Sequence, residues 1–191
     1  MEFIRNYINN ITKLPDESMS KLIQLAKHEH FSKGQIFAKL NEVPKNFYII
    51  KSGIARSFYT DENGKDYIRT IFTSFNTTGA LSALMDNSKS KLTYDCLTEC
   101  EMFSFNFHKL KGLMENDIHL SNLYNKVLEH IFKIMEVRIY ELSLLNATER
   151  YLALKQQIPD IDNRIPQYHI ASYLNVTPVQ LSRIRKEIYS K

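Results

Sequence analysis

The spacing of apolar positions changes twice along the chain, and the changes divide it into three. From about Phe31 to Phe107 the period is that of strands. The segment "NFYIIKSGIARSFYT" holds two β-rich runs on either side of Lys51-Ser52-Gly53, and "DENGK" (Asp61–Lys65) is a turn signal ahead of "DYIRTIF". Farther on, "LTYDCLTECEMFSF" alternates imperfectly between apolar and polar over Leu92–Phe105. Several short strands at this spacing predict an antiparallel sandwich or barrel. A short amphipathic helix should precede them, with Met19, Leu22, Ile23, Leu25 and Ala26 as its apolar stripe.

After Asp117 the period becomes helical. Leu120, Leu123, Tyr124, Val127, Leu128, Ile131, Ile134, Met135, Ile139, Leu142 and Leu145 recur at steps of three and four, and no Gly or Pro interrupts Ile118–Gln157. A helix from Asp117 to Leu145 would be about 43 Å long at 1.5 Å per residue. Its apolar stripe is wider than one small sandwich needs to cover. The expectation is that it also pairs with its twin in a symmetric dimer, through Leu120, Leu123, Val127, Ile131 and Ile134.

A third segment starts at "NATERYLAL". Asn146 with Glu149 three residues on is a capping-box start for a helix to about Gln157, which Pro159 and the polar "DIDN" bring to an end. "IASYLNVTPVQLSRIRKEI" (Ile170–Ile188) then reads as two short helices with almost nothing between them. The first buries Ile170, Ala171 and Leu174, Ala171 being small where two crossing helices come close. Asn175 stands at the sharp turn, since Asn tolerates left-handed backbone angles, and Val176 plugs the space between the helices. Thr177 is the N-cap, Pro178 the first helical residue, and Gln180 closes a second capping box. Leu181, Ile184 and Ile188 form one buried stripe. This is the pattern of a helix-turn-helix. Val179, Gln180, Ser182, Arg183, Lys186 and Glu187 are left exposed. At such a helix start Arg183 can pair with guanine, Gln180 with adenine and Val179 with a thymine methyl, while Thr177 and Lys186 hold phosphates.

Charge sharpens this picture. The net charge is +4, and Asn146–Lys191 holds seven basic residues against four acidic, leaving 18 against 17 elsewhere. The excess lies where a polyanion would be met. With 191 residues, 43% of them hydrophobic, and only five glycines and five prolines, the chain has room for compact domains and none for a long flexible linker. The absence of a long apolar run, and of a signal core in "MEFIRNYINN", predicts a cytoplasmic protein away from membranes. Cys96 and Cys100, taken to lie along one strand, read as buried free thiols.

In order of elements, the chain resembles the Crp/Fnr (cyclic-AMP receptor / fumarate-nitrate reduction) family of bacterial transcription regulators over essentially its whole length, and the branch found in Bacteroidetes in particular. "KSGIARSFY" is similar to that family's strand–Gly–strand element, and "ATERYLAL…RIPQYHIASYLNVTPVQLSRIRKEI" to its DNA-binding end. The resemblance implies an α+β fold: an antiparallel β-roll of the cyclic-nucleotide-binding jelly-roll type over 1–116, a long dimerisation helix over 117–145, and a helix-turn-helix domain over 146–191. It places Pro178, Val179 and Arg183 where family members contact bases, and implies double-stranded DNA, a second copy and RNA polymerase as partners. Members that bind cyclic AMP place Glu after Gly, and Arg then Ser or Thr farther on. Here those positions are Gly79-Ala80 and Ser90-Lys91, so no cyclic AMP binding is expected. No Cys precedes Cys96, so no iron–sulfur cluster is expected either. An effector pocket, if formed, should involve Arg69, Gly79, Ala80, Ser90, Lys91, Tyr94 and Tyr124.

Two other classes compete. An adaptor of the same fold that no longer reads DNA would not need the exposed Gln180/Arg183 face. A cupin-like metalloenzyme would use "HEH" (His28-Glu29-His30), but the following positions that should supply a Glu are Lys33 and Gly34, so neither a metal site nor enzymatic activity is expected.

Overall fold

The computed structural model describes residues 1–190. Helices α1 (Glu2–Ile11) and α2 (Asp16–Leu25) lead into eight strands, which run β1 (Lys27–Phe31), β2 (Ile36–Ala38), β3 (Asn46–Ser52), β4 (Ala55–Thr60), β5 (Asp66–Phe72), β6 (Thr77–Thr78), β7 (Thr93–Cys96) and β8 (Cys100–Asn106). They form two antiparallel four-stranded sheets, ordered β1-β8-β3-β6 and β2-β7-β4-β5. β8 is buried along most of its length because it has a strand on either side and the roll's interior beneath it. A short helix α3 (Leu81–Asp86) interrupts the strands, and α4 (Phe107–Met114) closes the roll.

The two runs around Lys51-Ser52-Gly53 are strands, as expected, but they do not pair as a hairpin. β3 bonds to β8 and β6, whereas β4 bonds to β5 and β7, so the chain changes sheet at the glycine. Gly53 has φ +99°, and a Cβ there would lie 2.4 Å from the Glu99 carbonyl oxygen and 2.5 Å from Cys100 Sγ. Any other residue would force the corner open. The segment Leu92–Phe105 likewise splits at a corner: Cys96 ends β7 and Cys100 begins β8 in the other sheet, so the two cysteines do not share one strand. Both thiols are free and buried.

Helix α5 (Ile118–Leu144) is the long helix, capped by Asp117. The Asp117 carboxylate accepts from the His119 and Leu120 amides and, at 2.8 Å, from the Ser18 hydroxyl of α2. Burial works to raise its pKa, yet these donors hold it below the ordinary carboxylate value. The cap thus fixes the start of α5 to α2. Leu120 (1% exposed) and Leu123 then pack with Ile4, Tyr7, Ile8, Met19 and Leu22, with Val127 against the margin. This corrects the expected dimer stripe at Leu120 and Leu123, which are taken up by α1 and α2 of their own chain, while Val127 is only partly covered. Beyond them one side of the helix is bare, while Arg138 and Glu141 face the C-terminal helices. Phe132 (63% exposed), Met135, Ile139 and Leu142 stand in solvent at steps of three and four, with Ile134, Val137, Tyr140 and Leu144 beside them.

The C-terminal helices are α6 (Ala147–Gln157), α7 (Ile161–Arg164), α8 (Gln167–Tyr173) and α9 (Pro178–Tyr189). The Asn146–Glu149 capping box is present in full. One core crosses from the roll into these helices: Ile54, Phe58, Ile68 and Leu97 cluster with Tyr151, Leu154, Ile161, Ile170, Leu174 and Leu181. The helix pair is therefore docked on the β4–β5 sheet face. No helix among the described residues is long and apolar enough to cross a membrane.

Candidate nucleic-acid interface and effector region

The α8–α9 unit follows the expected pattern position by position. Ile170, Ala171, Leu174 and Leu181 are fully buried, Ile184 nearly so, and Val176 and Ile188 pack at the edge of the same cluster. Asn175 has φ +55°, the left-handed turn between the helices. Thr177 Oγ1 accepts from the Gln180 amide at 3.2 Å, and Gln180 Oε1 accepts from the Thr177 amide at 2.8 Å, closing the capping box over Pro178. A cap of this kind contributes about 1 kcal/mol.

With one side of α9 buried, Thr177, Pro178, Val179 (61% exposed), Gln180, Ser182, Arg183, Lys186 and Glu187 all face solvent. Two refinements emerge. Gln180 Oε1 is engaged by the Thr177 amide, so pairing both ends of its amide with adenine would require opening the capping box. The basic cluster also divides. Arg185 is half-buried with its Nε 3.8 Å from Asp162 Oδ1, while Lys155 and the Tyr151 hydroxyl donate to Asp162 Oδ2. Burial acts to raise the Asp162 pKa, but hydrogen bonds from Tyr151 and Lys155 and the Arg185 charge hold it low. Arg183 and Lys186 are the cations left pointing outward.

The docking of α8 on the roll is polar as well as apolar. The Ser172 hydroxyl donates to the Asp66 carbonyl at 2.7 Å and accepts from the Ile68 amide at 3.1 Å. Beside it lies a buried guanidinium that the sequence pattern does not reveal. Arg56 of β4 donates through Nε and Nη2 to both oxygens of Asp95, at 2.8 and 3.0 Å, lies 3.1 Å from Asp66 Oδ2, and covers the Phe58 ring at 3.8 Å. Its Nη1 reaches His169 Nδ1 on α8 at 3.4 Å. Burial, reinforced by the Arg56 charge, depresses the His169 pKa to about 4, so the ring is neutral near pH 7 and Nδ1 accepts. From the other side, Arg138 of α5 lies over the Tyr173 ring at 3.8 Å and donates to the Tyr173 carbonyl, while Arg150 donates to the Leu174 carbonyl at 3.2 Å. The end of α8 is thereby tied to the long helix.

The expected effector residues are arranged differently. Ala80 and Tyr94 are buried together with Ala38 and Ala83, and Phe37 and Phe72 pack around them. Ser90 is also buried, its hydroxyl donating to the Leu92 carbonyl at 2.7 Å. These three side chains are buried and offer no open surface. Burial raises the Tyr94 pKa and the nearby Arg69 charge opposes that. Arg69 and Lys91 are exposed, and Tyr124 lies against Phe107 at a ring separation of 6.1 Å. Gly79 backs onto Phe47, where a Cβ would approach the Phe47 Cα to 3.2 Å. An open depression of about 350 Å³ lies over Ile36–Lys39 and Glu42–Asn46, and another of about 330 Å³ over Thr12–Leu14 and α5 from His119 to Glu129. None of the seven expected effector residues lines either.

Comparison with known proteins agrees with this architecture. Residues 28–117 match the model of the cyclic nucleotide-binding domain family. Over its length the chain has the fold of Crp/Fnr regulators. It is similar to a Crp/Fnr-family protein from Eubacterium rectale (TM-score 0.75, 16% identity, 97% of this chain and 88% of that one). FixK2 from Bradyrhizobium japonicum aligns with TM-score 0.74 and 14% identity, covering 86% and 85%. The c-di-GMP-responsive global regulator CLP of Xanthomonas campestris aligns with TM-score 0.71 and 10% identity, covering 92% of each chain. No curated protein sequence matches.

Proposed function

We propose that this protein is a cytoplasmic, sequence-specific DNA-binding transcription regulator and not an enzyme. The observation that carries the reading is the outward face of α9, where Val179, Ser182, Arg183 and Lys186 stand exposed on a helix whose other side is locked into the core. The N-terminal residues of such a helix enter the major groove. Arg183 would pair with guanine O6 and N7, and Thr177, Lys186 and the Val179 amide at the start of α9 would hold phosphates.

The protein acts as a homodimer. Its contact runs along Leu128, Phe132, Met135, Ile139 and Leu142 of α5, spaced at alternating steps of four and three as in a coiled coil. Two α9 helices about 34 Å apart would then read a pseudo-palindrome in successive major grooves, and RNA polymerase is the expected further partner. Because α8 is fixed to the roll by Arg56 and Ser172, and to α5 by Arg138, a shift in the roll or the dimer helix would be felt as a change in α9 spacing.

Cyclic AMP is not the effector. Ala80 supplies no carboxylate for a ribose hydroxyl, and Ser90-Lys91 supplies no guanidinium fork for a cyclic phosphate. Calorimetry with cyclic AMP should show no saturable heat, and saturable micromolar binding would overturn this point. The reading as a whole is tested by selecting bound sequences from random duplex DNA with purified protein and no added ligand. Enrichment of an inverted repeat is expected. Salt-sensitive binding without enrichment would favour the adaptor alternative.

A further inference from the structure

A cluster of metal-ligating side chains stands open to solvent on the roll, away from the DNA-reading helix. His28 and His30 are two residues apart on β1, so strand alternation puts both imidazoles on one face. β8 runs antiparallel beside them, with Glu101 directly across the ladder from His30. Opposed residues of a ladder share a face, which brings the carboxylate to the same side. One donor atom from each residue lies within 4.8 Å of the other two.

The triangle is already partly closed. His28 Nε2 is 3.1 Å from Glu101 Oε2, and the His28 ring is steadied by Phe103 and by His30, each with a centroid separation of 4.9 Å. Tetrahedral zinc with ligands at 2.0–2.2 Å keeps its donor atoms about 3.3 Å apart, so the closure left at His30 is about 1.5 Å at most. Side-chain rotation covers that distance. The hydrogen bond from Lys51 lowers the Glu101 pKa, aided by His28, so the carboxylate is ionised and ready to ligate.

We propose that His28, His30 and Glu101 bind one divalent transition-metal ion of the zinc class, with the remaining coordination open to water. Two imidazoles and a carboxylate are a donor set suited to zinc. The competitor is Lys51, whose Nζ is 2.5 Å from Glu101 Oε2. That ammonium sits on a flexible, partly exposed stem and can swing away, leaving the oxygen to the metal. The carboxylate that the His-x-His pair lacks farther along its own strand is supplied from across the ladder. A bound ion would clamp β1, the edge strand, to β8.

The experiment uses the full chain with any affinity tag removed, and zinc alone, followed by calorimetry and by thermal unfolding. One equivalent should bind at micromolar free zinc and raise the melting temperature. His30→Ala and Glu101→Gln, which alter surface positions and should keep the wild-type circular dichroism, are each expected to weaken binding at least tenfold, by analogy with the ~10–100-fold losses seen when metal-site support is removed. Lys51→Ala should bind at least as tightly as wild type. No saturable binding, or binding left unchanged by both ligand substitutions, would overturn the site, as would loss of binding in Lys51→Ala.

Discussion

Helix α9 and the Gly79–Tyr94 segment occupy the two places where a protein of this architecture would meet other molecules, and they are built in opposite senses. On α9 the apolar stripe is fully buried and every candidate contact residue points outward. In the Gly79–Tyr94 segment three of the expected contact side chains turn inward, Ala80 and Tyr94 in a small core and Ser90 bonded within its own turn, while Lys91 stays exposed. In this roll Ala80, Ser90 and Tyr94 serve as packing positions.

Substitutions can sharpen that contrast. The largest effect should come from Tyr94→Ala, which removes a nearly fully buried aromatic ring (2% exposed). Large aromatic truncations of this kind cost about 3–5 kcal/mol, and urea unfolding should register such a loss in the isolated protein. A negligible change would mean the segment is an open pocket. Arg183→Ala should do the reverse. We expect a loss of about 1–3 kcal/mol in affinity for the selected duplex, with relaxed preference at one base position, and stability within about 0.5 kcal/mol of wild type.

Thr177→Ala lies between the two, since Thr177 caps α9 and is proposed to hold a phosphate. Its loss should lower unfolding stability by about 1 kcal/mol and weaken all duplexes alike. A further expected outcome concerns pH. His169 titrates at about 4 in the folded chain and near its ordinary 6.5 when unfolded. The unfolded chain thus binds more protons between these values. The stability contributed by the neutral ring should be present above pH 6.5 and be lost as pH falls towards 4. In His169→Gln the urea midpoint should fall less steeply across that window, and an identical pH profile would remove His169 from the docking contact.

The helix-turn-helix was legible because its constraints are local. Asn175, Thr177-Pro178 and Gln180, with the apolar spacing around them, each specify backbone or burial within a few residues. The packing of the long helix was only half legible. Leu120 and Leu123 carry the right period, but whether they meet a second copy or their own chain depends on α1, more than 100 residues away, whose Ile4, Tyr7 and Ile8 cover them. The Arg56–Asp95–His169 contact left no mark, because a single arginine in a strand gives no sign that two carboxylates will be folded around it. Glu101 escaped for the same reason, its pairing with His30 being a matter of register.

The central claim is that α9 reads sequence. Its most direct test is fluorescence anisotropy of the unliganded wild-type protein on the selected inverted repeat and on a scrambled duplex of the same length and salt. The account predicts a preference of at least about a thousandfold for the repeat, the lower end of what specific readers achieve. Equal affinity for the two duplexes would contradict it.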